Sequence, residues 1–361
     1  MEPISNKPSY RINFTKMQGA GNDFVVFEKN KVERLNGDQS IMTYEEISKF
    51  TTKLSHRKLG VGCDQLIIID DSPPNKNASY GMGVINCDGN IENMCGNGVR
   101  CFTKYIIDNK VLSKNVKEQI KFDSGNDENN DGSIEQIIET KSGIVKTYPL
   151  LKHHLNNDDK NVIMVKVNMG TSKISRLQSE VDYHIPKVLS KQSPIDSYLY
   201  TIDIDLPYCS KLECVYVSVG VNQCVVFIDR NIELGYLDSS YGDYSKFSTI
   251  NIQEISDRIQ RNINGFIDIA NVEFVIQSTQ DKLENKVISR VVERGSGETL
   301  ACGTGACGVA VASILKGYCN ENIETIVEMP GGKLLIQWDL NNSEIFKTGP
   351  ATTVFKSQIL I

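Results

Sequence analysis

The sequence predicts a two-domain α+β protein in which each half combines a sheet with one buried helix. Its 361 residues exceed the usual size of a single domain. The motif Cys-Gly-x-Gly occurs twice, at 95–98 and 302–305, each time before an apolar stretch with helical periodicity. Strand-like runs flank both motifs. Both halves therefore follow one order of sheet, motif, buried helix and sheet.

The first half alternates strands with helices. Thr43 and Glu46 have the spacing of a capping box, which predicts a helix from there to about Arg57. After the first motif, one helical stripe of apolar residues runs from Val99 to Ile107. Strands are predicted where short runs are rich in β-branched and aromatic residues, at 12–17, 23–27, 66–70 and 83–86.

The second half repeats this order. The helix at 308–315 is apolar nearly all round, which predicts that protein encloses it. Two tracts rich in Asn and Asp, at 125–132 and 155–161, are too polar to bury a core and are interpreted as insertions. Strands are predicted at 213–219, 224–228, 271–277 and 286–293.

Charge and hydropathy exclude several classes of protein. The net charge of −6 and the pI near 5.4 argue against a nucleic-acid-binding surface, which is usually basic. The first ten residues lack the apolar core of a signal peptide, and no apolar run approaches the length of a membrane span. We therefore expect a cytoplasmic protein with neither a nucleic-acid nor a membrane partner.

The ten cysteines do not have the spacing of a zinc site or of a disulfide framework. A secreted disulfide set fits short, loop-rich chains better than this one. A zinc site needs about four closely grouped ligands, and the gaps after Cys95 and Cys302 are not the usual ones. Cys63, Cys214 and Cys224 lie within or beside apolar runs, so we expect them in the core. No metal is expected.

The two motifs have the chemistry of reactive thiols beside an anion site. The dipole and free N–H groups of a helix N-terminus lower the pKa of a cysteine there, and the glycines leave those N–H groups open to a carboxylate. A pair of such thiols suits an enzyme that removes a proton from one face of a carbon and returns one to the other. The alternative is a pair of glycine-rich turns with incidental cysteines, which the repetition disfavours.

Residues 303–308 also match the dinucleotide-binding fingerprint G-x-G-x-x-G. In that motif the glycines follow a strand almost directly, whereas here the polar loop 294–299 intervenes. Dinucleotide binding would also leave Cys302 and its counterpart Cys95 without a role. We therefore expect no nucleotide cofactor.

Seven segments extend nearly end to end through the chain: KMQGAGNDF (16–24), GVGCDQ (60–65), NCDG (86–89), MCGNGVRC (94–101), NVEF (271–274), ERGSGET (293–299) and ACGTGAC (301–307). In these segments, and in their order, the chain resembles the diaminopimelate epimerases, a family of cofactor-independent amino-acid epimerases. The resemblance implies two pseudo-symmetric domains, each a curved sheet around a buried central helix, with the site in the cleft between them. It also implies a homodimer. The predicted domains are 1–160 with 351–361, and 161–350.

The resemblance implies a role for each motif. Cys95 and Cys302 would stand on opposite faces of the substrate α-carbon, one abstracting the α-proton as thiolate and the other donating a proton as thiol. The remaining implied substrate contacts fall into three groups. Backbone N–H groups around the carboxylate come from Gly96, Asn97, Gly303 and Thr304. Residues around the reacting end are Asn22, Gln65 and Glu293. Residues at the distal amino-acid end are Asn86, Asn271 and Arg294.

One loop departs from the family pattern. The family usually has Gly-Asn-Pro-His where this chain has Gly220-Val221-Asn222-Gln223. Val221 replaces a substrate-binding Asn, and Gln223 replaces a His that supports the first catalytic thiol. Asn222 is a candidate substitute one residue along. The expected reaction is interconversion of LL- and meso-diaminopimelate in lysine biosynthesis. The alternatives are a racemase of another polar amino acid and a non-catalytic amino-acid-binding homologue.

Overall fold

The computed structural model describes residues 9–111, 135–152, 161–174, 199–242, 244–261 and 270–361. Of the two predicted insertions, 125–132 lies outside the described residues, as does all of 155–161 except its last residue. The chain forms two compact units, Met1–Val167 with Gly349–Ile361, and Asn168–Thr348. Among the described residues, strands far outnumber helices. This agrees with the prediction of an α+β protein in which each half has a sheet around one helix.

The first unit is a mixed sheet whose strands run in the order β20-β1-β2-β4-β5-β7-β8. The β2/β4 and β5/β7 pairs are parallel, and the others are antiparallel. The short β6 pairs with β5 at one end. Numbered along the chain, the strands are β1 Tyr10–Gly19, β2 Asn22–Glu28, β3 Glu33–Arg34, β4 Gln65–Asp70, β5 Tyr80–Asn86, β6 Ile91–Glu92, β7 Gln136–Thr140, β8 Gly143–Lys152 and β20 Thr352–Leu360.

The second unit repeats this pattern of strand pairing. Its order is β11-β12-β13-β14-β15-β17-β18, with β13/β14 and β15/β17 parallel and β16 paired to the end of β15. The duplication predicted from the two motifs is therefore present in the strand pairing. The strands are β9 Asn161–Thr171, which crosses from the first unit, β10 Lys173–Ile174, β11 Leu199–Leu206, β12 Cys209–Val219, β13 Val221–Phe227, β14 Asn271–Ile276, β15 Lys286–Glu293, β16 Gly297–Thr299, β17 Thr325–Met329, β18 Gly332–Asp339 and β19 Glu344–Pro350.

A buried helix follows the β6 or β16 hairpin in each unit. Helix α2, Gly96–Asp108, packs on β1, β2 and β8, and α6, Gly303–Leu315, packs on β12, β13 and β18. Almost every residue of both helices is buried. The prediction that protein encloses the apolar second helix is confirmed. The other helices are α1 Tyr44–Ser55, α3 Ile228–Glu233, α4 Gln253–Arg261 and α5 Thr279–Leu283.

Helix α1 covers the opposite face of the first sheet. Its start follows the predicted capping box, because Thr43 Oγ1 accepts the Glu46 N–H and the Glu46 carboxylate accepts the Thr43 N–H. The helix ends at Ser55, close to the predicted Arg57. Ile47, Phe50 and Leu54 pack on apolar residues of β2 and β4.

The predicted strands are found with longer bounds in most cases, and β15 has the predicted ones. Cys63, Cys214 and Cys224 are buried free thiols, as expected. In the described part of the chain, no helix has the length and apolar character needed to cross a membrane.

Candidate functional site

Each Cys-Gly-x-Gly motif forms the N-terminus of a buried helix. Cys95 caps α2 and Cys302 caps α6, both with extended backbone. In the first motif the Gly98 N–H lies 3.4 Å from the Cys95 sulfur, and in the second the Gly305 N–H lies 3.4 Å from the Cys302 sulfur. The sulfur thus takes the place of the usual Ser or Asp cap oxygen. Both thiols consequently sit at the positive end of a helix dipole, as the sequence predicts.

The first backbone N–H groups of both helices come from the four predicted carboxylate-binding residues. Gly96 and Asn97 are the first two residues of α2, and Gly303 and Thr304 are the first two of α6. N–H groups in a first helical turn have no partner within the helix. The N–H of the third residue of each helix, Gly98 or Gly305, is bonded to the cysteine sulfur. The positive end of the helix dipole at this turn favours an anion.

Asn22 presents an amide oxygen to Cys95. Its Nδ2 donates to Asp64 Oδ2 at 2.8 Å, and Asp64 also accepts the N–H of Asp23 at 3.0 Å and a bond from Arg57. A carboxylate only accepts, so this contact fixes the orientation of the Asn22 amide. Asn22 Oδ1 then lies 3.6 Å from the Cys95 sulfur and accepts a hydrogen bond from the thiol.

Gln65 and Asn86 lie opposite each other on β4 and β5. Gln65 Nε2 donates to Asn86 Oδ1 at 2.7 Å, and Asn86 Nδ2 donates to Glu92 Oε1 at 2.7 Å. Both the oxygen and the nitrogen of the Asn86 amide are therefore hydrogen-bonded. Gln65 Oε1 is buried and has no hydrogen-bond partner among the residues that the structure describes, so it can accept a bond from a ligand.

Asn271 presents an amide nitrogen to Cys302. The N–H of Arg294 donates to Asn271 Oδ1 at 2.9 Å, which fixes the amide in the opposite sense to that of Asn22. Asn271 Nδ2 then donates to the Cys302 sulfur at 3.7 Å, and Thr304 Oγ1 lies 3.4 Å from the same sulfur. The two cysteines thus face amides of opposite polarity.

Burial raises the pKa of the Cys302 thiol well above its usual value, and the negative charges of Glu293 and Glu273 add to this rise. The hydrogen bonds from Thr304 and the Gly305 N–H act in the other direction but are outweighed. Cys302 is therefore held mainly as the thiol at neutral pH, despite its position at a helix N-terminus.

Gln223 is completely buried on β13 and lies against the first turn of α6. Its Nε2 donates to Thr304 Oγ1 at 3.2 Å, so it is linked to Cys302 through one hydroxyl. Asn222, the candidate substitute, is half-buried and lies opposite Ser218 in the β12/β13 hairpin. Val221 at the hairpin end is 47% exposed.

Glu293 and Arg294 end β15 beside the second motif. Glu293 accepts a hydrogen bond from the hydroxyl of Thr299. The nearby Glu298 does not pair with Arg294, because two nitrogens of Arg290 donate to its carboxylate at 2.7 and 2.8 Å. The Arg294 side chain is exposed, and within the described ranges it forms no ion pair. Its guanidinium is thus accessible to a carboxylate ligand.

Two features near the motifs were not predicted as functional. Asp64, which lies in the GVGCDQ segment, fixes the amide of Asn22 together with Arg57. Glu273 is a fully buried acid in the apolar strand β14. An acidic residue inside an apolar run is a signal that sequence reading can detect. Across the described residues, no group of three or more His, Cys, Asp or Glu side chains is placed to hold a metal ion.

Comparison with known proteins matches the diaminopimelate epimerase family model to residues 14–175 and 215–354. The chain is 34% identical over 350 residues to a diaminopimelate epimerase of Methanococcus maripaludis strain C6, covering 96% of this chain and 99% of the relative. It is 31% identical to one of Desulfitobacterium hafniense, covering 97% and 98%. Among solved structures, a hydroxyproline epimerase from Agrobacterium vitis shares the fold with a TM-score of 0.56 at 12% identity, covering 97% of this chain and 93% of that one.

Proposed function

Because the chain belongs to the diaminopimelate epimerase family and is thus an isomerase, we propose that it interconverts LL- and meso-2,6-diaminopimelate. In this proposal the reaction is a step of lysine biosynthesis and uses neither pyridoxal phosphate nor a metal. One observation carries the proposal: two cysteines cap two buried helices, each with its sulfur on the N–H of the same motif glycine.

The proposed reaction begins with a substrate α-carboxylate at the first-turn N–H groups of the two helices, where the helix dipole favours an anion. An α-proton is only weakly acidic, so its removal needs fixed positive dipoles where negative charge develops. One cysteine thiolate takes the α-proton, and the thiol of the other cysteine gives a proton to the opposite face. The configuration of the carbon is inverted, and the two cysteines exchange roles when the reaction runs in reverse.

The two amides support the two protonation states. Asn22 Oδ1 accepts a hydrogen bond from the Cys95 thiol, while Asn271 Nδ2 donates a hydrogen bond to the Cys302 sulfur and stabilises its thiolate. Neither amide titrates, so each keeps its orientation through the cycle. Both are held by contacts on their far side, from Asp64 and from the Arg294 N–H.

Incubation with LL-diaminopimelate in heavy water tests this proposal. We expect meso product that carries deuterium at the inverted α-carbon, because the donated proton comes from a thiol that exchanges with solvent. The racemase alternative, which the altered residues 221–223 favour, is tested with a panel of other polar L-amino acids. Their α-hydrogen exchange is monitored as loss of the α-proton signal in NMR. A non-catalytic binding protein would exchange none of them.

We expect Arg294→Lys to lower kcat/KM for diaminopimelate by about 10- to 100-fold, mainly through KM. A lysine ammonium cannot reproduce the planar two-bond grip of a guanidinium on the distal carboxylate, and a hydrogen bond to a charged group contributes about 1.5–3 kcal/mol. The exposed side chain has no ion pair within the described residues, so the fold should be unaffected.

The matched control for Arg294→Lys is a substrate of similar length without a distal carboxylate, assayed by α-hydrogen exchange. Its kcat/KM should change by less than about threefold, within the small effects of surface substitutions. Equal losses for both substrates would remove Arg294 from the distal site.

We expect kcat/KM to rise from neutral to alkaline pH. In the direction in which Cys302 is the base it must react as the thiolate, and its raised pKa means that only a small fraction of it is ionised near neutrality. Gln223→His should move this limb of the profile to lower pH, because an imidazolium beside the first turn of α6 stabilises a thiolate. Gln223→Leu removes the same contact with Thr304 without adding a titrating group, so it should not produce that shift. If the His and Leu variants have the same profile, residue 223 does not act through charge.

A further inference from the structure

Glu273 is a completely buried carboxyl group with few polar contacts. It lies in β14 between the core residues Val272 and Phe274. Its Oε2 accepts a hydrogen bond from the hydroxyl of Ser289 on β15 at 3.0 Å. Its Oε1 has no hydrogen-bond partner in the part of the chain that the structure describes. Burial of a carboxyl group with a single neutral donor lowers the stability of the fold, which points to a role for this residue.

The Glu273 carboxyl lies directly against the turn that holds the Cys302 sulfur. A Cβ atom placed on Gly305 would lie 1.8 Å from Glu273 Oε1 and 3.1 Å from the Cys302 Cβ. Gly305 is the residue whose N–H donates to the Cys302 sulfur. Only a glycine therefore leaves room for the carboxyl beside this turn.

Two ionisable groups face Glu273 from the elements packed around it, Cys302 on α6 and Glu293 at the end of β15. The in-register neighbours on β13 and β15, Val225 and Val291, are apolar. No cation among the described residues forms an ion pair with Glu273. Burial, and then the charge of Glu293, raises the pKa of Glu273 well above its usual value. The same buried surroundings therefore oppose the ionisation of both Glu273 and Cys302. In addition, a negative charge on either group opposes the ionisation of the other.

We propose that Glu273 and Cys302 share one negative charge, so that only one of the two groups is ionised at a time. Glu273 acts as a positioning residue: it carries this charge and thereby keeps Cys302 as the thiol. The inference rests on the proposed function, for the direction of reaction in which Cys302 is the proton donor. A carboxyl is ordinarily a stronger acid than a thiol by about four pKa units, so ionisation of the pair begins at the carboxyl. The helix N-terminus and the Ser289 hydroxyl also favour that carboxylate. Two like charges this close cannot both persist in a buried site.

The test is the pH dependence of alkylation of Cys302 by iodoacetamide, in the Cys95→Ala background, with the modified peptide quantified by mass spectrometry. Thiolate is the reactive form, so the rate reports the ionised fraction. We expect Glu273→Gln, which keeps the shape and removes the charge, to raise the rate near neutral pH by about tenfold or more, equivalent to a decrease of about one unit in the thiol pKa. Ser289→Ala removes the hydrogen bond that stabilises the ionised carboxylate of Glu273, so it should give a smaller shift in the same direction.

A merely structural role for Glu273 would change the melting temperature of these variants and leave the alkylation profile in place. Profiles that coincide for Glu273→Gln and its parent would overturn the proposal, and Ser289→Ala keeps the test decisive if Glu273→Gln does not fold. The measurement needs no turnover. A shifted profile in a protein that fails to exchange the α-hydrogen of diaminopimelate would refute the proposed reaction and leave the shared charge standing.

Discussion

The Cys302→Ala and Cys95→Ala variants are each expected to lose epimerase activity by at least about 10²–10⁴-fold, the usual contribution of one positioned acid or base. Inversion needs a group on each face of the carbon, and an alanine leaves one face without any. The methyl group also fits the N-cap position without strain, although the cap bond to Gly98 or Gly305 is lost. The measurement is conversion of LL- to meso-diaminopimelate at saturating substrate.

The controls are two cysteines in the same helices, changed to alanine in the same way. Cys101 and Cys307 are buried in α2 and α6, and burial raises the pKa of Cys101 to about 12, so that it stays protonated. Their alanine variants should keep most of the activity. Substantial epimerisation by Cys302→Ala would contradict the two-thiol assignment.

Gly305→Ala is expected to be far more damaging than Gly98→Ala, although the two glycines occupy the same position of the two motifs. A methyl group at Gly305 would lie 1.8 Å from a carboxyl oxygen of fully buried Glu273 and 2.7 Å from its carboxyl carbon, so the buried carboxyl, the strand or the helix turn must move. A methyl group at Gly98 meets the Cδ1 atom of Ile67 at 2.7 Å, the end of a side chain that can change rotamer. Overpacking of this kind costs about 1–3 kcal/mol, occasionally more.

Thermal unfolding and kcat measure this difference. We expect Gly305→Ala to lower the melting temperature and to reduce kcat by about 100-fold, because displacement of the turn moves the Cys302 sulfur. Gly98→Ala should keep activity within about tenfold, in line with the modest cost of a rotamer change. Adding Glu273→Ala to Gly305→Ala removes the clash and should restore part of the lost stability, whereas additive losses would show that the two residues do not interact.

The sequence predicts those features that depend on neighbouring residues. The start of α1 and the bounds of β15 follow from local patterns, and the two buried helices follow from apolar periodicity. The two Cys-Gly-x-Gly motifs likewise predict the position of Cys95 and Cys302 at the N-termini of these helices. In these regions local propensity and the final structure agree.

Features that depend on distant residues were not predicted. Strand β16 lies within the polar loop 294–299 and forms only because β15 lies beside it. Strand β20 has mostly exposed side chains, so it lacks the apolar alternation that would identify a strand. The orientations of the Asn22 and Asn271 amides are set by Asp64 and by a backbone N–H, and the clash at Gly305 is set by Glu273. No local pattern encodes any of these contacts.

The pairing of β1 with β20 has a consequence for the order of folding. These strands are separated by more than three hundred residues, yet they hydrogen-bond along most of their length. In addition, the guanidinium of Arg100, completely buried in α2, donates to the carbonyl of Pro350. During synthesis from the N-terminus, the first unit therefore cannot complete its sheet, or form the bond from Arg100 to Pro350, until the C-terminal segment has been made. By then the ribosome has made the entire second unit, so the unit that is translated first is the one whose folding finishes last.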